Sequence, residues 1–292
     1  RCLLSKTSSP APASPSSLSA CPLISLITSG TLKLGVANAI PGGAGQGNVT
    51  VNGTLDLNGY ANVINGLSGT GTVDNSSATA RTLTAGSNDQ TSVFSGIMTN
   101  TGAAASLALT KTGTGTLTLT GSNGYGGLTT IGSGALNARN SLALGTTNGI
   151  TVVENGATLQ VQDGITTFAE ALTLNGDGVA AGGALCNISG DNACNGTITL
   201  GSAGRINSDT GTLTLGGLIK GAYSLVLGGA GDMMVTNAIS TGAGTLIKDG
   251  NGTVTLSGTN VYTGVTTVSN GNLLVNGSLG AGGGTVTVVT NG

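Results

Sequence analysis

The sequence predicts an all-β protein folded as a parallel β-solenoid of roughly eleven to thirteen coils, and three observations carry that expectation. First, the segment 111–136 reappears at 248–273 with a constant offset of 137 residues and no gap, and 14 of its 26 aligned positions are identical. Recurrence in fixed register is the mark of a repeat architecture. Second, short runs alternate Leu or Val with Thr and close on glycine, which is the period of strands with one buried face. Third, 54 of 292 residues are Gly, charged residues are 7% and the hydrophobic fraction is 38%. Disorder requires low hydrophobicity with high net charge, so this composition points instead to strands and sharp corners.

Along the chain, residues 1–30 stand apart. Pro10, Pro12, Pro15 and Pro22 are four of its five prolines, and the Ser/Pro-rich run that contains three of them cannot join a ladder. This stretch reads as a leader or cap, and 31–292 as the solenoid domain. From Thr31 onward the pattern is regular: Val49-Thr-Val-Asn-Gly-Thr-Leu-Asp-Leu-Asn-Gly59, Gly115-Thr-Leu-Thr-Leu-Thr-Gly121, Gly211-Thr-Leu-Thr-Leu-Gly216 and Gly284-Thr-Val-Thr-Val-Val289. Asn-Gly and Gly-Gly supply the positive φ that tight corners need. A β-sandwich would also explain alternation, but it does not require repeats that align without gaps. Stacked coils do, because like residues then superpose about 4.8 Å apart.

Several function classes are excluded by what the chain lacks. A net charge of −2 with no basic cluster and 2% aromatic residues leaves neither a phosphate-binding face nor a stacking platform for bases. There is no His, so Ser-His-Asp and Cys-His catalysis are absent. The eleven carboxylates show no spacing suited to acid–base work. No catalytic, cofactor-binding or metal-binding residues are assigned. Gly228-Gly-Ala-Gly-Asp232 departs from the calcium nonapeptide pattern, and Gly42-Gly-Ala-Gly-Gln-Gly47 lacks the Lys-Ser/Thr of a phosphate loop. Of four cysteines, Cys186 and Cys194 flank a polar loop and are expected to form a disulfide, with Cys2–Cys21 a less supported pair. No apolar run reaches the roughly eighteen residues of a spanning helix.

The doubled segment, Lys-x-Gly-x-Gly-Thr-(Leu/Val)-Thr-Leu-(Thr/Ser)-Gly-(Ser/Thr)-Asn-x-Tyr-x-Gly, resembles the autotransporter-associated β-strand repeat of bacterial type V passengers. Two strong copies cover about 111–144 and 248–280, and weaker relatives extend over most of 31–292. The resemblance implies a right-handed parallel β-helix, exported and then displayed on or released from the outer surface. The chain closes on Asn291-Gly292 with solenoid-like sequence and no strands for the translocating barrel of that family follow, so the expectation is either a passenger fragment or a solenoid adopted for another extracellular use.

Lys111, Asn123 and Tyr125 recur as Lys248, Asn260 and Tyr262, and residues written twice are expected to be scaffold rather than site. The Thr-rich outer faces fit uncharged strands in general. The expected function is a non-enzymatic extracellular solenoid, structural or adhesive, with partners among host, cell-surface or matrix components or with its own copies end to end in a fibre. The alternative is a secreted polysaccharide-active β-helix enzyme, which needs carboxylates converging in a groove.

Overall fold

The computed structural model describes residues 25–102, 107–166, 168–280 and 286–288. They form a parallel β-solenoid of about 12 turns, and every strand pairing among them is parallel. The only helical element described is a short 3-10 turn, Val179–Ala181. The predicted coil number and class hold. Pairing already begins at Ser25–Ile27, which lies beside Val49–Val51, so the ladder starts inside the segment that the sequence sets apart as a leader. Residues 1–24, with Cys2 and Cys21, lie outside the described residues.

The turns build three ladders. The first runs from Ser25–Ile27 through Thr116–Leu119, Gly134–Ala138 and Ala157–Gln162 to Leu246–Lys248, Thr266–Val268 and Val286–Val288. In the second, Thr31–Lys33, Thr54–Asp56, Thr72–Asp74 and Ile97–Met98 pair in order, and pairing resumes from Asn192–Cys194 to Asn272–Val275. The third begins at Asn62–Ile64, continues through Arg81–Ala85, Leu107–Lys111, Thr129–Ile131 and Thr151–Val153, and reaches Ile239–Ser240. One long strand, Ile198–Ser208, turns a corner and belongs to both the third and the first ladder.

The alternation read from the sequence becomes inward files. Leu117, Leu136, Leu159, Leu185, Ile206 and Leu227 stack in register, each 2% exposed or less. Equivalent files from the other ladders close around them into a single core. Each such side chain contributes on the order of 1.5–3 kcal/mol by leaving water, so the stack is held along its whole length rather than at one centre.

Where the second ladder lacks strands, buried asparagines replace the backbone pairing. The Met98 amide donates to Asn123 Oδ1 at 2.7 Å, and Asn123 Nδ2 donates to the Ala143 carbonyl at 2.6 Å. One side chain thus ties the coil below to the coil above.

The doubled segment is placed in an unexpected way. Lys111 lies in the third ladder, whereas Lys248 lies in the first. Thr116–Leu119 belongs to the first ladder, and its counterpart Thr253–Leu256 to the second. The two copies are therefore rotated by one ladder, and their matching residues do not superpose along the axis. The reason is local. Each copy makes one turn and folds back on itself, with Ile131 beside Lys111 and Val268 beside Lys248, so it can start on any ladder.

Candidate functional site

Polar and ionisable groups are few enough to follow one by one, beginning with those the sequence singles out. Lys111 and Lys248 are buried, at 0% and 1% exposure. The Lys111 ammonium donates to the carbonyls of Thr112, Gly113 and Ser133 at 2.7, 2.9 and 3.2 Å. Lys248 repeats this with Asp249, Gly250 and Asn270 at 2.7, 2.9 and 3.0 Å. Two acceptors belong to the corner that follows the lysine, and the third belongs to the next coil. The corner needs a left-handed residue, and Gly113 and Gly250 both have φ +73, which a side chain would oppose. Burial lowers both lysine pKa values, that of Lys111 to about 8.

Asn260 matches Asn123: it accepts from the Ile239 amide at 2.8 Å and donates to the Ser278 carbonyl at 2.7 Å. Tyr125 and Tyr262 are buried, and each hydroxyl lies 2.7 Å from a threonine Oγ1, of Thr129 and Thr266 respectively. Both threonines are identical between the copies, four residues after the tyrosine. That recurrence was the available signal for a partner that residue-by-residue reading overlooked. All six repeat residues thus spend their polar groups within the coil stack.

Cys186 and Cys194 are free and buried, where the sequence suggested a bond. Leu185 and Cys194 occupy inward positions, beside Ile206 and Leu215. Cys186, next to Leu185, therefore points to the other side of the wall, where its thiol donates to Asp209 Oδ2 at 3.3 Å. Opposite parity keeps the sulfurs apart, and no disulfide spans that arrangement without backbone movement. Burial, then Asp209, raises the Cys186 pKa, and burial alone pushes Cys194 up to about 12.

Two carboxylates, Asp56 and Asp74, are adjacent in the second ladder. Each is already engaged with the coil above. Asp56 accepts from the Ser76 amide and hydroxyl at 3.1 and 2.6 Å, and Asp74 from the Thr101 amide and hydroxyl at 2.9 and 2.6 Å. Burial acts to raise the Asp56 pKa, but the bonds from Ser76, Asn58 and Lys33 outweigh it and hold the carboxyl below its usual value. Among the described residues no group of three or more His, Cys, Asp or Glu is placed to hold a metal.

Two acids mark features that the sequence did not reveal. Glu170 is 5% exposed, and its carboxyl accepts from the Thr151 hydroxyl at 3.2 Å. Burial pushes it up to about 7 against a reference of 4.5, with the Thr151 bond opposing. The folded state thus holds this proton more tightly than the unfolded chain does. Its stabilising share is complete below about pH 4.5 and is lost as pH rises through 7, by about 1–3 kcal/mol. The denaturation midpoint of the chain is expected to fall between pH 5 and pH 8, and Glu170→Gln to flatten that slope. The second feature is the bidentate pair of Arg205 with Asp249, both contacts 2.7 Å. It joins coils two steps apart by passing over Gly228, where a methyl group would collide with both partners.

Two further ion pairs, Arg139–Asp163 and Lys33–Asp56, lie on the outer sides of the first and second ladders. On the outer side of the third ladder Thr84, Thr110, Thr130, Val152, Thr173 and Thr199 stand in register and lead to Lys220, with the exposed Glu154 two residues beyond Val152.

Comparison with protein families places two segments of the chain. Residues 109–138 and 246–275 match the family model of the Passenger-associated-transport-repeat. Each match contains one full Lys, Asn and Tyr set. No curated protein and no solved structure matches the chain. No helix among the described residues is long and apolar enough to cross a membrane.

Proposed function

We propose that this chain, an autotransporter passenger built of β-helix repeats, works as a non-enzymatic extracellular structural or adhesive element that extends by stacking coil on coil. The observation that carries the reading is where its polar chemistry goes. Lys111, Asn123, Tyr125 and their second copies all satisfy groups inside the stack, and the adjacent carboxylates Asp56 and Asp74 are held by coil-to-coil hydrogen bonds. A polysaccharide-cleaving site needs two carboxyl groups free to face a sugar. Asp56 and Asp74 are committed instead to spacing their coils.

Repeats of this family support secretion or display at a bacterial surface. The outermost described coils leave inward-file residues uncovered, with Leu32 41% and Val288 66% exposed. A further coil of the same pitch, in the same chain or in a second copy, would cover them and continue the ladders. Electron microscopy and fibre diffraction of the purified chain test the fibre reading. Filaments with an axial spacing near 4.8 Å are expected. Isolated rods at every concentration would overturn it, and glycan cleavage by the purified chain would overturn the non-enzymatic role.

A further inference from the structure

Asn-Gly pairs mark the corners of the stack, and eleven of them lie among the described residues. The pair carries a chemistry of its own. Glycine has no side chain to shield its amide nitrogen, which can reach Cγ of the preceding asparagine and close a five-membered ring. A hydrogen bond made by that amide, or a packed corner, opposes the closure. In eight of the eleven pairs the glycine amide is engaged elsewhere. Gly53 donates to the Ile27 carbonyl at 2.9 Å and Gly124 to that of Met98 at 2.8 Å, both in the coil below. Gly176 donates to Ser202 Oγ in the coil above, at 2.9 Å. In a ninth pair Gly196 is buried, and a Cβ placed there would collide with the Glu170 carbonyl.

Two pairs remain. Asn270 and Gly271 are exposed, but the Asn270 side chain is held at both ends, accepting from the Gly271 amide at 2.8 Å and donating to Asn251 Oδ1 at 2.9 Å. The N–H is thereby aimed at oxygen instead of presenting nitrogen to carbon. That corner is also packed, since a Cβ on Gly271 would collide with the Gly250 carbonyl and with Lys248 Nζ. Asn155 and Gly156 differ on each count. Both are exposed, the Gly156 amide has no hydrogen-bond partner among the described residues, and nothing stands within 4 Å of where a Cβ on Gly156 would lie. They are the central residues of a turn closed by the Ala157 amide, which donates to the Glu154 carbonyl at 3.0 Å. The turn carries the chain from Thr151–Val153 in the third ladder to Ala157–Gln162 in the first.

From these observations we infer that Asn155 is a site of spontaneous deamidation, with water as the only reagent. The Gly156 nitrogen gives its proton to solvent hydroxide and bonds to Asn155 Cγ. The Cγ–Nδ2 bond breaks, and that nitrogen leaves as ammonia. Water then opens the succinimide at one of its two carbonyls, which leaves aspartate or isoaspartate. Either product places a carboxylate beside Glu154, and isoaspartate also adds a methylene to the main chain of the turn. An exposed tip absorbs such a change, whereas the same insertion at Gly53 or Gly124 would pull on a coil-to-coil bond. The stack thus directs the reaction to a corner whose glycine amide ties no coils together.

This modification is independent of the role proposed above. Holding the folded full chain in mildly alkaline buffer, with peptide mass mapping over time, tests it. Amide-to-acid conversion at Asn155 is expected to lead that at the other ten pairs by about tenfold or more, because a bonded or packed glycine amide must first open locally. In urea that lead is expected to vanish. Asn155→Gln, which cannot close the five-membered ring, is expected to abolish the first acidic species that ion exchange resolves from the ageing chain. Earlier conversion at any of the other ten pairs in the folded chain, an undiminished lead of Asn155 in urea, or persistence of that acidic species in Asn155→Gln would overturn the inference.

Discussion

Replacing Lys111 by methionine is expected to lower the stability of the coil stack by about 3 kcal/mol. Methionine fills a similar volume, so packing changes little. What changes is that the carbonyls of Thr112, Gly113 and Ser133 lose their common donor at a site with 0% exposure. Buried acceptors left without a partner cost about 1–3 kcal/mol each. Relief from burying an ammonium offsets part of that loss, and the three acceptors outweigh it. Lys248→Met is expected to cost about the same, since its donors and acceptors match within 0.2 Å. The sites are far apart in the stack, so the double variant should lose roughly the sum. Urea midpoints for the two single variants and the double variant check this. Unequal single losses would mean that the ladder on which a copy sits matters to its energy.

The second large effect is expected at Gly121. A Cβ there would run into the carbonyl oxygen of Gly96 in the coil below, and both partners are backbone. A flexible side chain could move aside, but here relief requires the coils themselves to separate. Gly121→Ala should therefore cost about 3–5 kcal/mol, in the range reserved for overpacking and backbone strain. Its counterpart Gly258 meets the Asn237 carbonyl in the same way. Hydrogen exchange is the fitting measurement: protection should fall in the coils around residue 121 and persist in the distant ones, as nearest-neighbour stacking predicts. Uniform loss of protection would mean that the solenoid unfolds as one unit.

The class and the coil number were legible in the sequence because they follow from local periodicity. Leu117 and Leu119 alternating with Thr116 and Thr118 already state which side faces in. The interior position of Lys111 was not legible, since lysine is ordinarily an exposed residue and its acceptors include Ser133, one coil away. The rotation of the two copies was hidden for a related reason. A motif that closes on itself within one turn carries no mark of the ladder on which it begins. Cys186 and Cys194 misled because eight residues of separation suggest a clamp, while the parity of their strands decides otherwise. Glu170 gave no signal at all, because its burial comes from the turn of the wall and not from its neighbours in sequence.

Consider a pull on one end of the stack. A coil held only by its neighbours can peel away singly, one row of hydrogen bonds after another. The bridge from Arg205 over Gly228 to Asp249 forbids that locally, because the coil between cannot leave while the two around it are tied. Asn48 and Asn88 meet in a similar way at 2.9 Å, and both accept from or flank the Gly66 amide between them. Lys33 with Ser76, and the Gly43 amide with Ser87, also span two coils, so under tension the molecule should yield in steps of several coils where such ties occur and of single coils elsewhere. A solenoid exposed to shear would thus have rip-stops, one of them set by a glycine small enough to be crossed.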